Sequence, residues 1–165
     1  MAADALQFEL PPICHSNTRA LYEYWRAKCG VRSMPARRDI DPTYMPRLLL
    51  PGISLVDVVS DERRYVYRLV GTADVEVRGF DPIGQCVMDG FFGNSVEDVL
   101  ASYDRVVSSA APFFDRRSFT AASKRYVTEE TIFLPLSDDG VTVNKILVFS
   151  QSRDLRTVAT ARARA

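Results

Sequence analysis

The chain has 165 residues, 47% of them hydrophobic, and its 21 basic and 21 acidic residues give a formal net charge of zero. This length fits one domain with short extensions, and the balanced charge argues against broad electrostatic binding to nucleic acid or to an anionic membrane. No apolar run reaches the roughly 18 residues of a membrane span. The three cysteines, Cys14, Cys29 and Cys86, are too far apart to indicate a disulfide framework or a zinc site, which favours a reducing cytoplasm.

The N-terminal part of the chain predicts a flexible segment followed by one helix. Residues 1–15 lack periodicity and are expected to be flexible. A helix is predicted over 16–30, with Ser16 or Asn17 as its cap and Gly30 at its end. One face of this helix is apolar and aromatic, and we expect it to pack either on the chain's own sheet or on a second copy. The candidate dimer contacts on this face are Leu21, Tyr24 and Trp25.

The remainder predicts two blocks of strands separated by helices. Short helices are predicted over 42–48, 73–78 and 87–92, and a long amphipathic helix over 94–111. Strands are predicted over 53–59, 65–70, 112–120, 125–136 and 142–151, with a turn at 138–140 joining the last two. This order indicates an α+β domain over 16–151, with a five-stranded antiparallel sheet, helices on one face and the added N-terminal helix. A basic tail occupies 152–165.

Several short motifs in this order resemble a known family. They are LYEYWR at 21–26, MPARRDIDP at 34–42, YRLVGT at 67–72 with GFD at 79–81 and Gly84, and LPLSDDG at 134–140. Together they resemble a bacterial family of short PAS-like domains that often stand alone. The resemblance implies a PAS fold, a cavity between sheet and helices, a sensory or protein-interaction role, and frequent dimerisation.

The resemblance leaves the cofactor unknown. PAS domains that bind haem usually offer a histidine from a helix, whereas the only histidine here, His15, precedes the first helix. Flavin photosensors of this fold carry a reactive cysteine in an Asn-Cys-Arg motif, whereas Cys86 lies in Gly-Gln-Cys-Val. We therefore expect neither a His-ligated haem nor a cysteinyl-flavin, and the sequence indicates no metal site.

Candidate ligand-binding residues come from strand alternation and from the stripe of the long helix. Alternation puts Glu129, Thr131 and Phe133 on one face of the strand 125–136 and Glu130 on the other. Arg68 interrupts an apolar strand, and it is expected to pair with Glu130 across the sheet, to bind a ligand carboxylate, or to be exposed. Four other residues are expected to line a cavity or to belong to the core: Tyr67, Tyr103, Thr131 and Phe133.

No catalytic residues are predicted, because the chain lacks GxSxG, HExxH and P-loop motifs and has no histidine placed to activate a nucleophile. The main prediction is a cytoplasmic sensory module that binds a small molecule or a protein partner and acts as a homodimer. The alternatives are a structural interaction domain with a self-filled pocket, or a small cone-shaped α+β enzyme. That enzyme needs a buried acid, but Asp74 and Glu76 lie on a helix that looks exposed.

Overall fold

An antiparallel sheet organises residues 8–154, the part of the chain that the computed structural model describes. Its strands are β1 (Ile53–Val58), β2 (Tyr65–Val70), β3 (Phe113–Thr120), β4 (Tyr126–Leu136) and β5 (Lys145–Asp154). Their order across the sheet is β2-β1-β5-β4-β3, so the N-terminal hairpin joins the C-terminal block through β1 and β5. The predicted five-stranded antiparallel fold is confirmed.

Four α-helices accompany the sheet in the described residues: α1 (Ser16–Cys29), α2 (Thr72–Arg78), α3 (Val87–Gly90) and α4 (Val96–Ser109). The cap of α1 lies before the two predicted positions. The imidazole of His15, rather than Ser16 or Asn17, caps α1, and Ser95 caps α4 by accepting from the amide of Asp98. The predicted helix over 42–48 is instead two 3-10 turns, Pro42–Tyr44 and Arg47–Gly52.

Helices cover both faces of the sheet, because consecutive residues of a strand point to opposite sides. On β4, Phe133 contacts Tyr103 of α4 edge to face at 5.2 Å, whereas Glu130 accepts a hydrogen bond from Thr18 of α1 at 2.6 Å. The layer of α2 to α4 therefore lies on one face and α1 lies on the other. We call these the inner and the outer face.

Helix α1 packs on the outer face of its own sheet. Leu21 and Trp25 are buried, and the Trp25 indole donates to the carbonyl of Pro135 at 3.0 Å. Tyr24 is half-buried, and its hydroxyl is bonded to the backbone of Asp41. Within one chain, the helix therefore packs on its own sheet, which is the first of the two arrangements expected from the sequence. A dimer role for the three residues stays a prediction, although two of them are already inside the core.

Gly71 connects β2 to α2 at a point where the backbone of Pro51 and Ile53 comes very close. A Cβ on Gly71 would lie 2.2 Å from the backbone oxygen of Pro51 and 2.9 Å from that of Ile53, so only glycine fits beside these two carbonyls. Helix α2 begins at Thr72, with Gly71 as its N-cap, and is followed by its C-cap Gly79 in a left-handed conformation. The chain thereby leaves the sheet and crosses its inner face.

A β-bulge at Arg68 overturns the predicted pairing of that residue. Leu55 pairs with Leu69 and Val56 with Tyr67, so Arg68 is the extra residue on β2. Its guanidinium donates to Asp57 on the adjacent strand at 2.8 Å, and its side chain is 63% exposed. The expected pair with Glu130 is wrong because β1 and β5 separate β2 from β4, a distance of roughly 14 Å at the usual strand spacing.

The segments at the two ends extend the domain beyond its predicted limits. Residues 8–15 pack on the sheet and on α1: the Phe8 ring contacts Tyr22 edge to face, and the amide of His15 donates to Glu130. Strand β5 continues to Asp154, past the predicted end at 151, and its loop from β4 spans 137–144 rather than a short turn at 138–140. The rest of the predicted flexible segment and of the basic tail lies outside the described residues.

Candidate functional site

A small cavity lies between the inner face of the sheet and the helical layer. Its volume is about 90 Å³, and it is walled by strands β1 to β5, by α2 and α4, and by the loop 91–94. The polar and ionisable residues that line it are Ser54, Tyr67, Asp74, Arg78, Asn94, Ser102, Tyr103, Asp115, Arg117, Glu129, Thr131 and Ser150. An interior wall this rich in charged groups departs from an ordinary apolar core.

Arg78 enters the cavity from α2 and is held there by several acceptors. Its side chain is only 10% exposed, as is that of Asp74, with which it forms an i,i+4 ion pair at 3.4 Å. The guanidinium also donates to the carbonyl of Gly90 at 2.7 Å and to the hydroxyl of Tyr67 at 3.2 Å. Its Nε is the one buried side-chain nitrogen or oxygen among the described residues that has no hydrogen-bond partner. A buried donor in this state costs about 1–3 kcal/mol, which a bound acceptor would recover.

Glu129 faces Arg78 and Asp74 from β4. Ser152 on the neighbouring strand donates to its carboxylate at 2.9 Å, and Thr131 approaches at 3.5 Å. Burial, followed by the negative charge of Asp74, raises the pKa of Glu129 to about 7, against the opposing effects of Ser152 and Arg78. This carboxyl therefore exchanges a proton near neutral pH, in contact with the cavity.

Aromatic side chains form a further part of the cavity wall. Tyr103 stacks on Tyr65 at 5.0 Å and meets Phe133 edge to face. Tyr67 lies below the guanidinium of Arg78, 4.8 Å from its ring centre. Burial raises the pKa of Tyr67 and of Tyr103, so both phenols stay neutral and offer hydroxyls rather than charge.

A second ion pair closes the side of the cavity nearest β3. Arg117 is the cross-strand neighbour of Glu129, but its guanidinium is bonded to Asp115 and lies 3.7 Å from Asp98 of α4. Ser102 on α4 is within 3.5 Å of the same guanidinium. Both arginines of the cavity thus already have acidic partners.

A second cleft, of about 230 Å³, adjoins the cavity. Four residues line both spaces: Asp74, Val77, Glu129 and Ser150. The far side of the cleft is formed by Asn17 and by the turn that carries Pro51 and Gly52. Glu129 and Asp74 therefore lie at the partition between the cavity and this cleft.

The structure brings together four of the five predicted ligand-binding residues. Tyr67, Tyr103, Thr131 and Phe133 all line the cavity, and their role in binding stays a prediction. Arg68 lies elsewhere, on the exposed bulge. Sequence reasoning missed Arg78 and Glu129, although alternation had placed Glu129 on the same face of β4 as Thr131 and Phe133.

The expectation that α2 is exposed applies to Glu76 but not to Asp74. Glu76 is exposed, whereas the Asp74 side chain is 10% exposed and accepts from the hydroxyl of Ser54 at 3.1 Å. The helix is amphipathic, and the buried acid that a small enzyme of this shape would need is present on its inner side.

The lining residues do not suit a flavin or a His-ligated haem. Sites for drug-sized ligands occupy roughly 300–1,000 Å³, several times the volume of this cavity. The residues that line it include neither histidine nor cysteine, and the thiol of Cys86 instead lies 3.2 Å from the carboxylate of Asp89 on α3. Within residues 8–154, no group of three or more His, Cys, Asp or Glu side chains is arranged to hold a metal ion.

Comparison with known proteins adds a family and a set of structural neighbours. Residues 13–149 match the PAS domain family. Among solved structures, a light-oxygen-voltage domain studied with a flavin analogue has a TM-score of 0.50 at 8% identity, covering 72% of this chain and 88% of that one. A LOV protein of Rhodobacter sphaeroides also has a TM-score of 0.50, at 11% identity, with 66% of each chain covered.

A variant of the fungal photoreceptor VVD gives a TM-score of 0.50 at 9% identity, covering 79% of this chain and 92% of that one. Identities this low support a shared fold alone. Comparison with curated protein sequences gave no match. Among the helices of residues 8–154, none has both the length and the apolar character needed to cross a membrane.

Proposed function

Because this chain belongs to the PAS domain family, we propose that it is a sensory module that detects a small polar molecule in the cavity around Arg78 and Glu129. PAS domains are generally sensory rather than catalytic. The proposal is supported by one observation above the others: a buried, charged cavity holds an arginine Nε that has no partner among the described residues. Most buried polar groups in folded proteins have a hydrogen-bond partner, so this unpaired donor favours an additional acceptor in the cavity.

The size of the cavity limits the ligand. An engineered cavity of about 150 Å³ holds one benzene molecule, so the 90 Å³ here suits a compound of only a few non-hydrogen atoms. The adjoining cleft allows a slightly larger molecule if the side chains of the partition rotate. For such binding to signal, the ligand must favour one of two arrangements of the helical layer over the other.

A cavity-filling variant tests the proposal. Val99 on α4 lines the cavity, whereas Val96 on the same helix does not, so Val99→Phe is the test and Val96→Phe its control. The protein would be purified, denatured, and the released small molecules identified by mass spectrometry. We expect a compound from wild type and from Val96→Phe that is absent from Val99→Phe. Equal release from all three variants would contradict binding in this cavity.

We further propose that the module acts in the bacterial cytoplasm, as a homodimer that signals to a protein partner. Family resemblance supports the dimer and the partner, and three unpaired cysteines suit a reducing compartment. Light scattering on the purified chain, with and without the released compound, tests the dimer. A monomer under both conditions would contradict it.

A purely structural interaction domain is the second candidate. It is favoured by the small volume of the cavity, whose wall includes packed aromatic side chains such as Tyr103 and Phe133. Under this alternative, no compound is released, and filling the cavity with Val99→Phe stabilises the fold instead of abolishing a binding site.

A further inference from the structure

The cavity carries more acidic than basic groups. Its acids are Asp74, Asp115 and Glu129, and its bases are Arg78 and Arg117. Asp74 already neutralises Arg78, and Asp115 neutralises Arg117. Glu129 is the acid that remains, since its bonded partners are the neutral hydroxyls of Ser152 and Thr131.

An anionic ligand therefore meets two obstacles in this site. Both guanidinium groups are already paired with acids, and the carboxylates of Asp74 and Glu129 would repel a third negative charge. A cation at the same place would instead lie between two carboxylates. It would give Glu129 a positively charged partner without displacing the Arg78–Asp74 or the Arg117–Asp115 ion pair.

Arg78 adds a second requirement. Its Nε has no partner among the described residues, so the ligand should also offer an acceptor oxygen to that donor. A hydroxyl meets this need without adding negative charge. Tyr67 and Tyr103, held neutral by burial, supply further hydroxyls and an aromatic wall that suits a cation.

We propose that the cavity binds a small organic cation, a primary amine that also carries a hydroxyl, with the ammonium group beside Glu129 and Asp74 and the hydroxyl oxygen at Arg78. This inference rests on the proposed sensory function and specifies the class of molecule sensed. No covalent step is involved.

Binding of this kind is coupled to a proton. The titratable groups that line the cavity with Glu129 are Asp74 and Arg78 of α2, Tyr67 of β2, Arg117 and Asp115 of β3, and Tyr103 of α4. Of these, Asp74 and Arg78 shift the pKa of Glu129. Without ligand, Glu129 has a pKa of about 7, so at pH 6 it is mostly protonated. An ammonium ion favours the carboxylate and expels that proton. Binding should release about 0.9 proton per ligand at pH 6 and about 0.1 at pH 8.

Three probes of nearly equal size separate the possible charges. Ethanolamine is the cation, ethylene glycol the neutral analogue and glycolate the anion. Each would be titrated by calorimetry at pH 6, 7 and 8, in buffers of different ionisation enthalpy so that released protons are counted. Ligands with so few atoms bind weakly, with Kd values in the millimolar range, so titrations should extend to roughly 50 mM.

We expect ethanolamine to bind tightest of the three, with an affinity that rises about tenfold from pH 6 to pH 8. Glu129→Gln keeps the size of the side chain and removes its charge, so it should weaken ethanolamine and abolish both the pH dependence and the proton release. Glu76→Gln, on the exposed side of α2, is the matched control. It should leave the affinity for ethanolamine, its pH dependence and the proton release unchanged.

Several results would overturn the inference. Tighter binding of glycolate, or an affinity that falls with rising pH, would assign the cavity to anions. Ethylene glycol binding with the same affinity as ethanolamine would show that charge has no role. No binding by any of the three probes would exclude small hydroxylated amines as ligands. If the compound released from the purified protein is an acid or a neutral molecule, the cation assignment fails while the sensory proposal stands.

Discussion

Glu130 is the buried carboxylate that fastens α1 and the preceding segment to the outer face of the sheet, and its removal should measurably destabilise the domain. Its oxygens accept from the hydroxyl of Thr18 and the amide of His15, both at 2.6 Å, and from Arg116 at 3.1 Å. Thr18 is fully buried and Glu130 nearly so. Substitution by alanine would leave the Thr18 hydroxyl without this acceptor.

The magnitude follows from these contacts. Hydrogen bonds to a charged group contribute about 1.5–3 kcal/mol each, and loss of one partner from a buried charge pair costs about 3–5 kcal/mol. The Arg116 contact adds little, because its side chain is 44% exposed. We therefore expect Glu130→Ala to lower the free energy of unfolding by about 3 kcal/mol, or Tm by about 6–12 °C for a chain of this length.

Thermal and urea unfolding at pH 7 measure this loss, with Glu62→Ala in the exposed loop before β2 as the control. Burial acts to raise the pKa of Glu130, but the hydrogen bonds from Thr18 and His15 outweigh it and lower the pKa. The stabilisation from this carboxylate is therefore present above the pKa of an unfolded glutamate and disappears as the pH falls through the lower folded value. A Tm unchanged by Glu130→Ala, or a deficit that persists undiminished in strong acid, would refute this account of α1.

Three further predictions concern the inner face and the bulge. Gly71→Ala places a methyl group against the Pro51 carbonyl and should cost about 1–3 kcal/mol in urea unfolding; an unchanged midpoint would show that this turn tolerates a side chain. Arg68→Ala removes one exposed ion pair and should change stability by less than about 1 kcal/mol, and a larger loss would mean that the bulge depends on it. Glu129→Gln should stabilise the protein by about 1–3 kcal/mol at pH 8 and have little effect at pH 5, because the raised pKa makes ionisation of Glu129 unfavourable only in the folded state; equal effects at both pH values would contradict the shifted pKa.

The order of elements was predictable because each has a local signal. Hydrophobic period marked α1 and α4, and the run from Tyr67 to Gly71 marked the strand that turns into α2. Alternation also sorted the side chains of β4 correctly, with Glu129, Thr131 and Phe133 on the inner face. The sequence could not predict that the two blocks of strands join through β1 and β5, since that pairing connects distant segments of the chain.

Arg68 shows this limit most clearly. Alternation along β2 cannot reveal a bulge, and the extra residue shifts the pattern so that Arg68 and Leu69 are both exposed. The predicted partner, Glu130, lies on β4, whereas the actual partner, Asp57, lies on the adjacent strand β1. Arg78 was missed for a different reason: a seven-residue helix has too few turns for its buried side to be read from periodicity.

The adjacent carboxylates of β4, Glu129 and Glu130, lie on opposite faces of the sheet and have opposite pKa shifts. Glu130 points to the outer face, where a hydroxyl, a backbone amide and an arginine stabilise its charge, and its pKa is lowered. Glu129 points to the inner face, where it has hydroxyl partners and an acidic neighbour, and its pKa is raised to about 7. A group that is already fully bonded cannot respond to a ligand, whereas one held near its titration point can. The pleat of the strand therefore directs Glu130 to the contacts that hold α1, and directs Glu129 to the cavity that we propose binds a ligand.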